Sequence, residues 1–526
     1  MRRTSSVLPL LIATATALLS ACRGDSSTAP TPVPPPTATV KPGLKILAGA
    51  GATDTINAQP LQSLVVEVRG PDSLPARGTV VRFEVQRTTD TTRRGYATMH
   101  ACSVSEPVCG QFPGADWQSV ASDTVDAKGK VSALLRFGTI AGRAVVRIVV
   151  PDFAYSDSAI YTVTPGAAAA VRLAGATTML SIGRTKSMRG AIVDRWGNLR
   201  SELPTVSSTS GSALSLDATT GAATGLALGT ETVYASFGTL KDSTIVTVVP
   251  QGRLLVWSAS NGSVRMIDID GTDARTVISS VGSDLGTFPQ FDQARQQVTL
   301  HRGTFSTGGP ATVIVVIDTS GVAKREISSG VLGNVYAQRR MADGSIRVVA
   351  GVTGFPDGTL SSILPDGTVV QLLNLPGMLD IYGGADISPD GSKVAYLTAG
   401  ARGAELRALD VATAAGVTLA PAARAPRWSA SGDRVAYLDP TSINGFGLDG
   451  TLNVVNADGS GWRLINAAGF SPGLSWSPDG TYVIGRNNIG ALQVTRVSDG
   501  VAVRLQLGDP AFNNGTFDDL FQPDWR

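Results

Sequence analysis

Histidine is almost missing from this sequence. His100 and His301 are the only two, and they stand in different parts of the chain. A His-based catalytic triad or a His-rich metal centre has little to draw on. No G-x-S-x-G string occurs, so the strained elbow that presents an α/β-hydrolase serine is excluded. Long stretches of helical periodicity are missing too. Short alternating apolar stretches recur instead, which makes the chain all-β. Charged residues are only 16%. Taking away Arg2 and Arg3 with a leader leaves 42 basic residues against 42 acidic ones. A nucleic-acid binder would carry a basic face. The pairs Arg93-Arg94 and Arg339-Arg340 read only as solvated loop charges.

What the sequence does have is glycine (59) and proline (29), dispersed along 526 residues. That length exceeds one core and points to about three domains. The N-terminus reads as an address. Arg2-Arg3 is a positive n-region and Val7 to Leu19 a short apolar run, too short to span a bilayer permanently. Leu19-Ser20-Ala21-Cys22 resembles a bacterial lipobox, which implies acylation of the Cys22 thiol. Each buried CH₂ of an acyl chain adds about 0.8 kcal/mol of membrane affinity. Arg23, rather than Asp, follows the cysteine, which in enterobacteria-like sorting favours the outer membrane. Residues 23–42 are rich in Ser, Thr and Pro and read as a semi-extended tether. In polyproline form it would reach roughly 60 Å.

Residues 43–165 read as a β-sandwich. Leu64 to Arg69, Val80 to Val85 and Ala144 to Val149 alternate or run apolar, with turn clusters such as Gly70-Pro71-Asp72-Ser73 between strands. The stretch Asp123 to Val150 resembles the end of an invasin- or intimin-type bacterial immunoglobulin-like domain. Cys102 and Cys109 lie here, seven positions apart. Export favours oxidation, so a disulfide closing a small loop is expected, contributing roughly 2–3 kcal/mol. Two thiols and nearby His100 fall short of the usual four metal ligands. Residues 166–250 resemble a group 2 bacterial immunoglobulin-like domain. The match lies in Leu180-Ser181-Ile182-Gly183, the turn Asp194-Arg195-Trp196-Gly197-Asn198, Ser207-Ser208 and the run Gly221 to Thr230.

Residues 251–526 repeat one short sentence. Ser388-Pro389-Asp390-Gly391 precedes Val394-Ala395-Tyr396, Trp428-Ser429-Ala430-Ser431-Gly432 precedes Val435-Ala436-Tyr437, and Trp476-Ser477-Pro478-Asp479-Gly480 precedes Tyr482-Val483-Ile484. Strand, glycine turn and strand at a spacing of roughly 40 residues mark a β-propeller. Six units can be counted, and the first lacks its leading strand. The C-terminal Pro523-Asp524-Trp525 echoes Pro426-Arg427-Trp428 and Pro289-Gln290-Phe291, so the last strand is expected to complete the first unit. On its SPDG-like turns this half resembles a TolB-type six-bladed propeller. The resemblance implies the fold. It does not carry over a peptidoglycan-associated partner, since the domains in front differ.

Asp268-Ile269-Asp270-Gly271-Thr272-Asp273 is the most site-like cluster. A calcium loop of the EF-hand kind wants Gly sixth and Glu twelfth. Here Gly is fourth and Ser279 twelfth, so a strand-connecting turn is the reading. No catalytic, cofactor or metal residue is singled out, and no cofactor is expected. The whole reads as two immunoglobulin-like sandwiches and a six-bladed propeller on a lipid anchor in the cell envelope. The propeller would bind an envelope protein, a peptide or a glycan, without catalysis. An adhesin using its sandwich modules and a carbohydrate-active propeller enzyme remain open. If the last strand closes the ring, deleting residues 521–526 lowers the melting temperature of the whole propeller; an unchanged melting temperature would rule closure out.

Overall fold

Alternation with a period of two decides which face of each strand enters a core. In Val80–Val85 the residues Val81, Phe83 and Val85 are buried while Val80 and Arg82 are exposed. The computed structural model describes residues 41–86, 96–102, 117–173, 177–209, 211–258, 263–278, 286–292, 296–306, 309–318, 324–328, 334–351, 357–379, 384–440, 449–487, 490–507 and 524–525. The lipobox with Cys22, the tether up to residue 40, Arg93-Arg94, Cys109 and Pro523 lie outside them. Among the described residues there is no α-helix, only strands and one 3₁₀ turn at Pro151–Phe153. The chain forms two compact units, residues 1–164 and 165–526.

The first unit is a sandwich. One sheet orders Gly43–Ala48, Leu64–Arg69, Lys130–Phe137 and Ala97–Ala101; the other orders Thr53–Thr55, Tyr155–Thr164, Gly142–Val150, Val80–Val85 and Val120–Thr124. Val66, Val68, Leu135 and Phe137 from one sheet meet Phe83, Val146, Ile148 and Tyr161 from the other in one core. Phe137 and Tyr161 pack edge to face at 5.9 Å. Cys102 is disulfide-bonded.

The second unit begins with another set of strands. Thr177–Ser181, Leu240–Val249, Gly229–Phe237 and Thr205–Ser208 form one sheet, and Thr185–Ser187, Ala222–Gly225 and Leu214–Leu216 a second. Two buried carboxylates shape its turns. Asp194 accepts the Trp196 and Asn198 amides at 2.8 and 2.9 Å, around Gly197 at φ 80°. Glu231 accepts the amides of Gly211, Ala213 and Leu214.

The remainder is a series of antiparallel sheets. Arg275–Ile278, Ser263–Asp268, Arg253–Ser258 and Asp524–Trp525 make one. The next three run from Gly286–Asp292 to Lys324–Ser328, from Asn334–Arg340 to Val369–Leu375, and from Ala385–Ile387 to Gly416–Ala420. A seven-stranded sheet runs from Arg424–Trp428 to Ala502–Arg504. Its 14-residue strand Arg463–Trp476 serves two neighbours: Asn466 and Leu464 face Leu452 and Asn453, while Ser475 and Trp476 face Ile484 and Val483. Gly286–Asp292 touches Asn334–Arg340, which touches Ala385–Ile387, which touches Arg424–Trp428; that strand touches Arg463–Trp476, and Asp524–Trp525 touches both Gly286–Asp292 and Arg463–Trp476. These contacts run in a closed circle, as in a β-propeller. The expected C-terminal contribution is present, with Trp525 opposite Leu254 and Asp524 opposite Leu255.

The second set of strands is joined to this ring. Leu228 and Val249 share a core with Leu254, Ile267, Ile269 and Trp525. The Ser181 hydroxyl donates to Asp270 at 2.7 Å and the Gln251 amide to the Ile182 carbonyl at 2.7 Å.

The repeated turns owe their shape to one carboxylate each. At the first, Gly391 (φ 73°) closes onto the Ser388 carbonyl, and Asp390 accepts from the Ser388 and Ser392 hydroxyls at 2.7 Å each. Partial burial alone would raise the Asp390 pKa, but the hydrogen bonds from Ser392 and Ser388 outweigh it and hold it at about 2, below the ordinary 3.8. Asp433 and Asp479 are lowered as well, Asp433 first of all by the Ser431 hydroxyl, and Asp479 by Ser477 against the opposing effect of burial. A depressed carboxylate stabilises the fold above its unfolded pKa, and that contribution is lost as pH falls through its folded value. Urea stability of residues 165–526 should therefore fall between pH 4 and pH 2, and Asp390→Asn should make that fall shallower. An unaltered pH profile in the variant would refute the assignment.

Candidate functional site

Strand pleating places one residue of each inner strand toward the middle of the ring. Asp524, Gln290, Arg339, Asp386, Arg427 and Ser475 line one axial cavity of about 140 Å³. They occupy matching registers. Gln290 faces Thr299, Asp386 faces Ala395, Arg427 faces Ala436, Ser475 faces Ile484 and Asp524 faces Leu255. The following residue turns back among the sheets. At Trp428, Trp476 and Trp525 it is a large, nearly fully buried ring.

Two arginines and two aspartates in this circle cancel in formal charge. Their hydrogen bonds also hold the sheets together. Asp386 accepts the Trp428 amide on Oδ2 at 2.8 Å, and on Oδ1 it accepts its neighbour Ile387 N–H at 2.9 Å and Arg339 Nη2 at 3.4 Å. Ser475 Oγ accepts the Trp525 amide at 3.1 Å, the same kind of bridge between another pair of neighbouring strands. The indole N–H of Trp428 reaches the Asp386 carbonyl at 3.3 Å, and that of Trp476 reaches the Arg427 carbonyl at 3.0 Å. Arg427 in turn donates to the Ala385 carbonyl at 3.5 Å. Arg339, Asp386, Arg427 and Ser475 thus face the cavity and tie their strands to a neighbour.

Arg339-Arg340 is therefore not a pair of solvated loop charges. The pair sits at the end of the inner strand Asn334–Arg340, not on a solvated loop. Arg339 is paired with Asp386, and Arg340 lies 3.7 Å from Asp292. All four side chains are largely covered, so desolvation had to be met by pairing. The missed signal was the middle letter of Pro-Gln290-Phe, Pro-Arg427-Trp and Pro-Asp524-Trp.

The other singled-out residues do not gather at the cavity. His100 lies on Ala97–Ala101 in the first sandwich, its ring 6.1 Å from that of Trp117. His301 pairs through its backbone with Thr287 and Ile314. In the Asp268–Asp273 turn, Gly271 closes onto the Asp268 carbonyl at 2.8 Å. Its carboxylates have separate partners: Asp268 and Asp273 hold Arg253, and Asp270 holds Ser181 and Thr272. Asn456 to Ser460 closes in the same way, with Gly459 bonded to the Asn456 carbonyl at 2.9 Å. Cys22 and Cys109 lie outside the described residues.

No family model matches the chain, and no curated protein matches it. Among solved structures it is similar to TolB from Acinetobacter baumannii, at 15% identity and a TM-score of 0.41, over 68% of this chain and 99% of that one. It is similar to a chain of a nidogen/laminin complex at 11% identity and a TM-score of 0.40, over 52% and 98%. It is also similar to a DUF4784 family protein from Bacteroides caccae at 9% identity and a TM-score of 0.33, over 68% and 99%.

Removing one member of a covered ion pair leaves the other uncompensated. Asp386→Ala should cost about 3 kcal/mol of unfolding free energy. Replacing Arg339 by Met as well should return part of it. Additive losses in this double-mutant cycle would show that the two side chains do not interact.

Proposed function

We propose that this chain is a lipid-anchored protein of the cell envelope that presents a six-bladed β-propeller as a binding platform, without catalysis. The observation that carries the reading is the circle of polar side chains, one from each inner strand, around the axial cavity. Concave sites with a few convergent polar groups are where propellers and similar scaffolds bind. The balanced charge of the circle suits a polar protein segment, a peptide or a glycan better than a nucleic acid. In this reading the six-bladed count follows from splitting the seven-stranded sheet at Arg463–Trp476. The sandwiches, of immunoglobulin-like type, stand between the tether and the ring in the sequence, and acylated Cys22 anchors the chain, with the outer membrane favoured by Arg23. A second reading, an adhesin working through its sandwiches, draws on Trp196, Leu199 and Leu203, which are exposed on the second one.

The chain should be divided after Thr164, not before the ring. A cut near residue 250 would open the core that Leu228 and Val249 share with Leu254. Pull-downs from envelope extract with residues 41–164 and 165–526 should retain a specific partner on the second piece only, and Gln290→Trp, which fills the axial cavity, should weaken capture about tenfold or more, the scale of a lost anchor contact. Capture by residues 41–164 alone would overturn the platform reading. Separately, Cys22→Ala should abolish fatty-acid labelling and release the protein to the soluble fraction; continued labelling would remove the anchor from the proposal.

A further inference from the structure

A second cavity lies away from the ring axis. It is a cleft of about 790 Å³ between the sheet that ends at Val369–Leu375 and the sheet that carries Lys393–Gly400 and Gly403–Asp410. No residue lines both cavities. Small-molecule sites typically measure about 300–1,000 Å³, so this one has room for a ligand that the axial cavity lacks.

Its chemistry is mixed. Asp357 and Arg407 supply one charge of each sign, while Gln371 and Asn374 supply carboxamides. Leu372, Leu373 and Leu409 add aliphatic surface. The Gln371 amide donates to Asn374 Oδ1 at 2.6 Å, which orients both groups at the rim. At the floor stands Tyr396, a residue with no exposed surface. Among the described residues its hydroxyl has no hydrogen-bond partner, and neither does Arg407 Nε. The Arg407 and Asp357 charges both lie within electrostatic reach of that hydroxyl. A buried hydroxyl without a partner is costly to a fold. Here it lines a cleft whose walls offer donors, acceptors and apolar faces together.

We propose that this cleft is a binding site for a neutral saccharide unit. A sugar ring presents hydroxyls that both donate and accept, and C–H faces that lie against aliphatic side chains. The Tyr396 hydroxyl and the Arg407 guanidinium would donate to ring or hydroxyl oxygens, and Asp357 would accept from a hydroxyl. The paired charges cancel, so neither a phosphorylated nor a polyanionic ligand is favoured. The site is independent of the axial reading and stands or falls separately from it.

The test is titration calorimetry on the full chain with maltotetraose, cellotetraose and chitotetraose as neutral probes, and with an oligogalacturonate and a hexose 6-phosphate as charged ones. At least one neutral probe should bind with a Kd of about 1 mM or tighter. Tyr396→Phe should weaken it about tenfold, the scale of one lost hydrogen bond in a covered site. Asn374→Arg, which places a long cation over the exposed rim, should abolish binding. Tyr396→Phe should leave the urea midpoint unchanged or raise it, because the hydroxyl has no partner to lose; a marked fall would show that the hydroxyl serves the fold. Failure of every neutral probe to bind, preference for a charged probe, or binding that survives both variants would overturn the proposal. Binding lost only in Gln290→Trp would place the sugar in the axial cavity instead.

Discussion

The pairing of Leu254 and Leu255 with Trp525 and Asp524 joins the two ends of the ring. The rest of the ring depends on it. An open circle of sheets would leave the inner edge of Arg253–Ser258 unpaired and the Trp525 site empty, with Leu254, Ile267 and Ile484 facing solvent. Closing so long a segment costs entropy, but that cost grows only slowly with length. What offsets it is burial at one point. Trp525 is 2% exposed, stacks with Tyr482 at 6.2 Å between centroids, and belongs to the core that also takes in Leu228 and Val249. Ring closure and the joint to the preceding strands are therefore one packing event.

The same economy governs the axis. A β-strand sends alternate residues to opposite sides, so an inner strand that buries Trp428 outward must show Arg427 inward. Polar side chains at that crowded centre need partners. The structure supplies them from the neighbouring strand, as Asp386 does for the Trp428 amide and Ser475 for the Trp525 amide. At Arg339, Asp386 and Ser475 the sheet is consequently keyed to a neighbour by a side chain that also faces the cavity.

Much of this was legible in the sequence, for physical reasons that can be named. The SPDG-like turns announce themselves because Gly391, Gly432 and Gly480 take positive φ and a nearby serine hydroxyl caps the carboxylate. Ring closure was legible because Trp525 repeats the role of Trp428, and bulky rings at one register leave a recurring letter. The polar circle was not, because its residues share a position and not a chemistry: Gln290, Arg339, Asp386 and Ser475 have no common signature. Arg339-Arg340 was misread for the same reason, since two adjacent arginines without visible partners look solvated until Asp386 and Asp292 arrive from other strands. The double service of Arg463–Trp476 was not legible either, because Gly469 and Gly473 within it carry no side chain to mark a strand face. The side cleft lay further out of reach, since Asp357, Tyr396 and Arg407 meet only through the stacking of two sheets.

The two cavities differ in what their polar groups are for. Around the axis, the carboxylate of Asp386 and the hydroxyl of Ser475 are spent on neighbouring backbone amides, so a substitution there tests stability and binding at once. In the cleft, the Tyr396 hydroxyl and Arg407 Nε are left over by the fold among the described residues. Among the described residues neither group has a partner, and a buried polar group without a bond is costly to a fold. A ligand that completes those bonds would recover the desolvation already incurred.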